Sequence, residues 1–182
     1  METTERIVES YVRYVRGWAT IPNIKCNGQF EIDLIAVDPV TLARYHIESG
    51  VSISSGFSKL TDKPFSAEEL KIRTQQPAQR RTLGYFTERK FGSPEILEAL
   101  STYGFKSGNY TRVIVSWGWL PEVAEKCKLL GIELWDFRRI VLDIHSYCEE
   151  RRTYFTDDIV RTIHLFAKAV QEQEQVALGA GA

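Results

Sequence analysis

A chain of 182 residues with 43% hydrophobic and 26% charged residues is long enough to bury one core and has the composition of a single globular domain. Its 23 basic and 24 acidic residues leave a net charge of −1, which excludes both an acidic disordered chain and indiscriminate electrostatic gripping of nucleic acid. No apolar run approaches the ~20 residues of a membrane span, the acidic start Met1-Glu2-Thr3-Thr4-Glu5 lacks the apolar stretch of a secretory signal, and three scattered cysteines (Cys26, Cys127, Cys148) without a CxxC pair argue against a disulfide framework or a zinc site and for the cytoplasm.

The first predicted element is a helix from Thr3 to Arg16, with Ile7, Val8, Tyr11, Val12, Tyr14, Val15 and Trp18 on one broad face and Gly17 as its stop. Two strands follow, Phe30–Val37 and Tyr45–Ile53, rich in β-branched and aromatic residues and joined through the turn signal Asp38-Pro39. The polar stretch from Ser54 to Gln76 carries a short helix near Ser66–Arg73. A helix over Pro77–Phe91 follows, with proline in its first turn and Gly92 after it. Ser93-Pro94-Glu95 opens another helix, closed by Gly104. Tyr110–Ser116 is a buried strand, Pro121–Leu130 a helix and Ile132–Trp135 a strand. Asp136 caps a helix with Phe137, Ile140, Val141 and Ile144 at i, i+3, i+4, i+7 spacing, and Thr156 caps the last helix. The expected fold is α/β: a mixed central sheet, made of an antiparallel hairpin and a parallel β-α-β unit, flanked by helices. The domain should occupy residues 1–170, with the biased tail 171–182 fraying into disorder.

The hairpin holds the most informative pattern. Strand side chains alternate faces, and opposed residues of an antiparallel pair share one. If the loop centres between Val40 and Thr41, Asp33 lies directly opposite Glu48, and His46 shares their face. Two opposed carboxylates repel unless a metal, a basic neighbour or water intervenes, and the geometry suits one divalent cation between two oxygen donors. A solvated strand face is the plainer alternative.

The run Glu31-Ile32-Asp33-Leu34-Ile35-Ala36-Val37, followed by Tyr45-His46-Ile47-Glu48-Ser49-Gly50-Val51-Ser52, resembles the core of the PD-(D/E)XK nuclease superfamily, the restriction-endonuclease-like fold. That pattern is an acidic residue on one strand and Glu-x-Lys on the next. The order of elements from Glu9 to Ile144 is also similar. The resemblance implies Asp33 and Glu48 as catalytic residues and ligands of Mg²⁺ or Mn²⁺, and metal-assisted attack of water on a phosphodiester, with DNA as partner and a homodimer as one assembly. It also implies a part for a first-helix carboxylate, which Glu9 matches, although Glu9 equally suits a surface pair with Arg13 at i+4. His46 is a candidate pH-dependent site group or a hydrogen-bonded surface histidine.

The family's lysine position is Gly50 here. Either the cation comes from a neighbouring element, with Lys59, Lys63, Lys71, Arg80 and Arg81 as candidates, or the chain is a catalytically silent relative acting as a binding or assembly module. A third reading is an unrelated α/β domain. Charge favours a local nucleic-acid surface: Gly50–Arg112 holds 10 basic and 6 acidic residues, while Met1–Ser49 holds 5 and 7. Lys59, Lys71, Gln79, Arg80 and Arg81 are the expected backbone contacts.

Overall fold

The computed structural model describes residues 2–53, 59–65, 82–151 and 155–179. Its centre is a five-stranded sheet of strands β1 (Ala19–Lys25), β2 (Glu31–Val37), β3 (Arg44–Ser49), β5 (Thr111–Ser116) and β7 (Ile132–Asp136), in that spatial order. β1–β2 and β2–β3 pair antiparallel, whereas β3–β5 and β5–β7 pair parallel. The fold is mixed α/β, with the antiparallel hairpin and the parallel unit that the sequence pattern implies. A separate pair, β4 (Lys59–Leu60) with β6 (Gly118–Trp119), was not anticipated.

Strand alternation divides the core in two. Leu34, Ala36, Ile47, Val113 and Val115 face helix α1 (Thr3–Ser10, continuing as a π-helical turn over Tyr11–Val15) and helix α5 (Phe137–Glu149), packing on Val8, Val12, Ile140 and Ile144. Helix α6 (Asp158–Gly179) adds Val160 to this layer. On the opposite face, Ile114 and Ile132 pack on Leu83, Phe86 and Phe91 and on Val123 and Cys127. These belong to helix α2 (Leu83–Tyr85, continuing as a π-helical turn over Phe86–Lys90), its exit, and helix α4 (Pro121–Leu129). Ile32 and Ile35 pack on Ile96 and Leu100 of helix α3 (Pro94–Thr102).

Several expectations need correction. β1 escaped the sequence pattern because Pro22 and Asn23 read as strand breakers; Pro22 is accommodated because β1 is an edge of the sheet. Asn23 takes a left-handed conformation (φ 58°) and interrupts the β1–β2 ladder beside Asp33. β3 ends at Ser49 rather than Ile53. Of the helix expected over Pro77–Phe91, the described part starts at Leu83, where Thr82 Oγ1 accepts the Tyr85 amide at 3.1 Å; its residues 77–81, and the helix expected near Ser66–Arg73, lie outside the described residues. The cap of α6 is Asp157, not Thr156: its Oδ1 accepts the amides of Ile159 and Val160, both at 3.0 Å. Helix α6 runs on through Gln171 to Gly179, and the Gln171 amide nitrogen meets His145 Nε2 at 3.0 Å. Among the described residues, no helix is long and apolar enough to cross a membrane.

Candidate active site

The β2–β3 register pairs Leu34 with Ile47 and Ile35 with His46. Continued by one residue, it sets Asp33 against Glu48, as the loop-centre reasoning predicts. The two side chains also tie the strands beyond the ladder. The Ser49 amide donates to Asp33 Oδ2 at 2.8 Å, and the Asp33 amide reaches Glu48 Oε1 at 3.4 Å. Both carboxylates are buried, Glu48 completely and Asp33 to 7% exposure. The solvated-face alternative is therefore overturned.

The basic neighbour is Lys90, at the end of the π-helical turn of α2. Its ammonium lies 2.8 Å from Asp33 Oδ1, 2.6 Å from Glu48 Oε2 and 3.0 Å from the Glu31 carbonyl oxygen. Three oxygens thus converge on one cationic point. Three contacts fix the helix end that delivers it. Phe91 packs edge-on against the His46 ring at 4.9 Å. The Arg89 guanidinium lies 4.1 Å over the Phe30 ring. Phe86 sits on Gly50 so closely that a Cβ there would meet its Cζ at 2.6 Å. Gly50 therefore has a positive role: the missing side chain leaves room for Phe86, and Phe86 seats the helix whose last residue supplies the amine.

Burial raises the pKa of Asp33 to about 7, with the Glu48 charge adding to the rise and Lys90 opposing it. Burial raises Glu48 to about 7 as well, against the pull of Lys90. Burial works against the Lys90 ammonium, but the charges of Glu48 and Asp33 outweigh it and hold its pKa above the ordinary lysine value. Two carboxylates share one ammonium, so the fully ionised cluster keeps one negative charge uncompensated.

His46 is wholly buried, with Nε2 at 2.7 Å from Glu48 Oε1. Burial, helped by Lys90, lowers its pKa to about 3, so the ring is neutral at physiological pH. This corrects both readings of His46: it is neither a surface histidine nor a group titrating near neutrality. Glu9 is corrected too. It accepts from Thr20 Oγ1 at 3.3 Å and pairs with Arg13 at 3.6 Å, as in the surface-pair alternative. The α1 carboxylate that feels the site is Glu5, one turn earlier, whose pKa is raised by burial and then by Asp33. Lys59 and Lys63 are exposed, and neither ion-pairs with Asp33 or Glu48. Lys71, Gln79, Arg80 and Arg81 lie outside the described residues.

Sequence reasoning missed Lys90 because 57 positions separate it from Asp33 and nothing local marks it. The usable signal was indirect: a glycine where a lysine was expected, and a basic pair, Arg89-Lys90, closing the next predicted helix.

The donor chemistry fits a hard divalent cation. Asp33 Oδ1, Glu48 Oε2 and the Glu31 carbonyl are all oxygen donors, already gathered around a positive charge. Among the described residues, no group of three or more His, Cys, Asp or Glu side chains forms a metal cluster. A Mg²⁺ ion, which keeps several waters, needs fewer protein ligands than that.

No protein-family model and no curated protein matches the chain. Among solved structures, it is similar to a crystal structure of a protein of unknown function, AF1548, at 14% identity and a TM-score of 0.42, over 93% of this chain and 98% of that one.

Proposed function

We propose that the chain is a nuclease-like, nucleic-acid-binding domain that hydrolyses the phosphodiesters of DNA with Mg²⁺ or Mn²⁺. The observation that carries this reading is the convergence of Asp33 Oδ1, Glu48 Oε2 and the Lys90 ammonium within 2.6–2.8 Å on a buried strand pair. Asp33 and Glu48 would hold the cation, which when bound lowers the pKa of water and offsets charge on the phosphoryl group. Lys90 supplies the amine that Gly50 lacks, orienting the attacking water and stabilising the negative charge that develops on the non-bridging oxygens. Exposed Lys59 adds a phosphate contact outside the site. The free thiols Cys26, Cys127 and Cys148 suit a reducing compartment such as the cytoplasm.

The test is nicking of plasmid DNA by the purified chain with Mn²⁺. Asp33→Ala and Glu48→Ala should abolish cleavage, and Lys90→Ala should lower it at least 100-fold. Cleavage that survives Asp33→Ala and Glu48→Ala removes the assigned site. A second reading, a silent binding module of the same fold, is favoured by one observation: the ammonium engages three oxygens at once and can act as a permanent internal counter-ion. Absence of both Mn²⁺ binding and cleavage in the wild-type chain selects that reading.

A further inference from the structure

His46 stands two residues before Glu48 on the same strand face, and parallel pairing sets it beside Arg112 while Glu48 lies beside Ile114. Its side chain is 0% exposed. The ring is clamped by Phe91 at 4.9 Å, nearly perpendicular, and approached by Tyr110 at 6.2 Å. Phe91 directly follows Lys90, so one helix end delivers the amine and the wall that holds the imidazole.

The tautomer follows from the partners. A neutral ring carries one N–H, and the atom facing it at Nε2 is a carboxylate oxygen, which can only accept while it is ionised. The proton therefore sits on Nε2, donated to Glu48 Oε1. Nδ1 is then a bare acceptor, buried and without a hydrogen-bond partner among the described residues. An orphaned buried nitrogen costs stability, and an apolar side chain of similar size would avoid that cost. The Nε2–H bond is what the imidazole offers in return.

That bond decides which oxygen of Glu48 is presented. Oε1 is held by His46 Nε2 at 2.7 Å, with the Asp33 amide at 3.4 Å. Oε2 is left on the side of Asp33 Oδ1, where the Lys90 ammonium sits. The imidazole N–H engages the carboxylate through Oε1 alone and leaves Oε2 to the Asp33 side.

We propose that His46 is a positioning residue, which turns Glu48 into a one-oxygen ligand by holding Oε1 and leaving Oε2 for a divalent cation. The proposal rests on the reading of the Asp33–Glu48 pair as a metal site and deepens it. It acts as a partner behind a ligand does in metal sites, where removal typically lowers metal affinity 10–100-fold.

The experiment measures Mn²⁺ affinity of the full chain by calorimetry at pH 8, beside its thermal unfolding without metal. His46→Leu should bind Mn²⁺ at least 10-fold more weakly while still unfolding in a single cooperative transition. His46→Gln places an amide N–H close to the Nε2 position and should stay within about threefold of wild-type affinity. His46→Asn, whose amide falls short of Glu48, should behave like leucine and serves if His46→Leu does not fold. Wild-type affinity in His46→Leu or His46→Asn, or equal weakening in Gln and Asn, overturns the role of His46 while leaving the metal site standing. No Mn²⁺ binding by the wild-type chain overturns both readings.

Discussion

The two faces of the sheet are cut from the same strands by alternate residues, and they answer to different physics. Toward α1 and α5, β3 offers Ile47, β2 offers Leu34 and Ala36, and β5 offers Val113 and Val115; burial of this surface favours folding by ~25 cal/mol per Å². Toward α2, the same stretch of β3 offers His46 and Glu48, beside Asp33 of β2, all buried. Buried charges pay back their desolvation only with excellent partners, and here two carboxylates share one amine. One face stabilises the fold, and the other holds buried ionisable groups at a cost in stability. A protein under selection for stability alone would fill both faces with aliphatic residues.

The contrast can be broken most strongly at Lys90. Lys90→Met removes the shared counter-ion and should destabilise the chain by about 3–5 kcal/mol at pH 8, with much of the loss recovered near pH 6 as a carboxylate takes up a proton. Ile47→Ala, on the apolar face, should cost about 2–5 kcal/mol with no such pH dependence. Denaturant unfolding of both variants at the two pH values separates the faces; equal pH dependence would erase the distinction.

A smaller signal comes from the wild-type chain. Asp33 and Glu48 have folded-state pKa values raised to about 7, above their ordinary values of 3.8 and 4.5. Between those limits the native state binds more protons than the unfolded state, so metal-free stability should fall as pH rises from about 4 to about 7. The direction follows from proton linkage. Urea midpoints across that range check the sign. Added Mn²⁺ should oppose the fall, since cation and proton compete for the same oxygens.

The smallest effect tests how the faces are joined. Gly50→Ala drives a methyl into the Phe86 ring and should cost about 1–3 kcal/mol. Its cleavage defect should exceed its stability defect, because displacement of Phe86 also displaces Lys90. Phe86→Ala combined with Gly50→Lys should let a strand lysine partly rescue Lys90→Ala, measured as recovered nicking.

Much of this was legible before any coordinates. The Asp33–Glu48 opposition follows once the loop is centred between Val40 and Thr41, because residues pair symmetrically about a loop centre; the observed register bears that centre out. Asp136 as a helix cap, with its side chain accepting the Arg138 amide at 2.9 Å, follows from side-chain chemistry. β1 did not follow, because Pro22 and Asn23 weigh against a strand and an edge position forgives them. Nor did Lys90, because a side chain reaching a site from 57 residues away leaves no periodicity behind.

The sequence by itself determined the class of fold, the order of the β2–β3 hairpin and the β5–α4–β7 unit, and the face shared by His46 and Glu48. These depend on alternation, turn chemistry and capping, which act over a few residues. Only the tertiary structure decided that the face is buried, that Glu5 rather than Glu9 lies near Asp33, and that the cation comes from α2. Those outcomes depend on packing between distant segments. The ring of Phe86 fitting against Gly50 is the contact that seats α2 on β3, with Lys90 against Asp33 and Glu48.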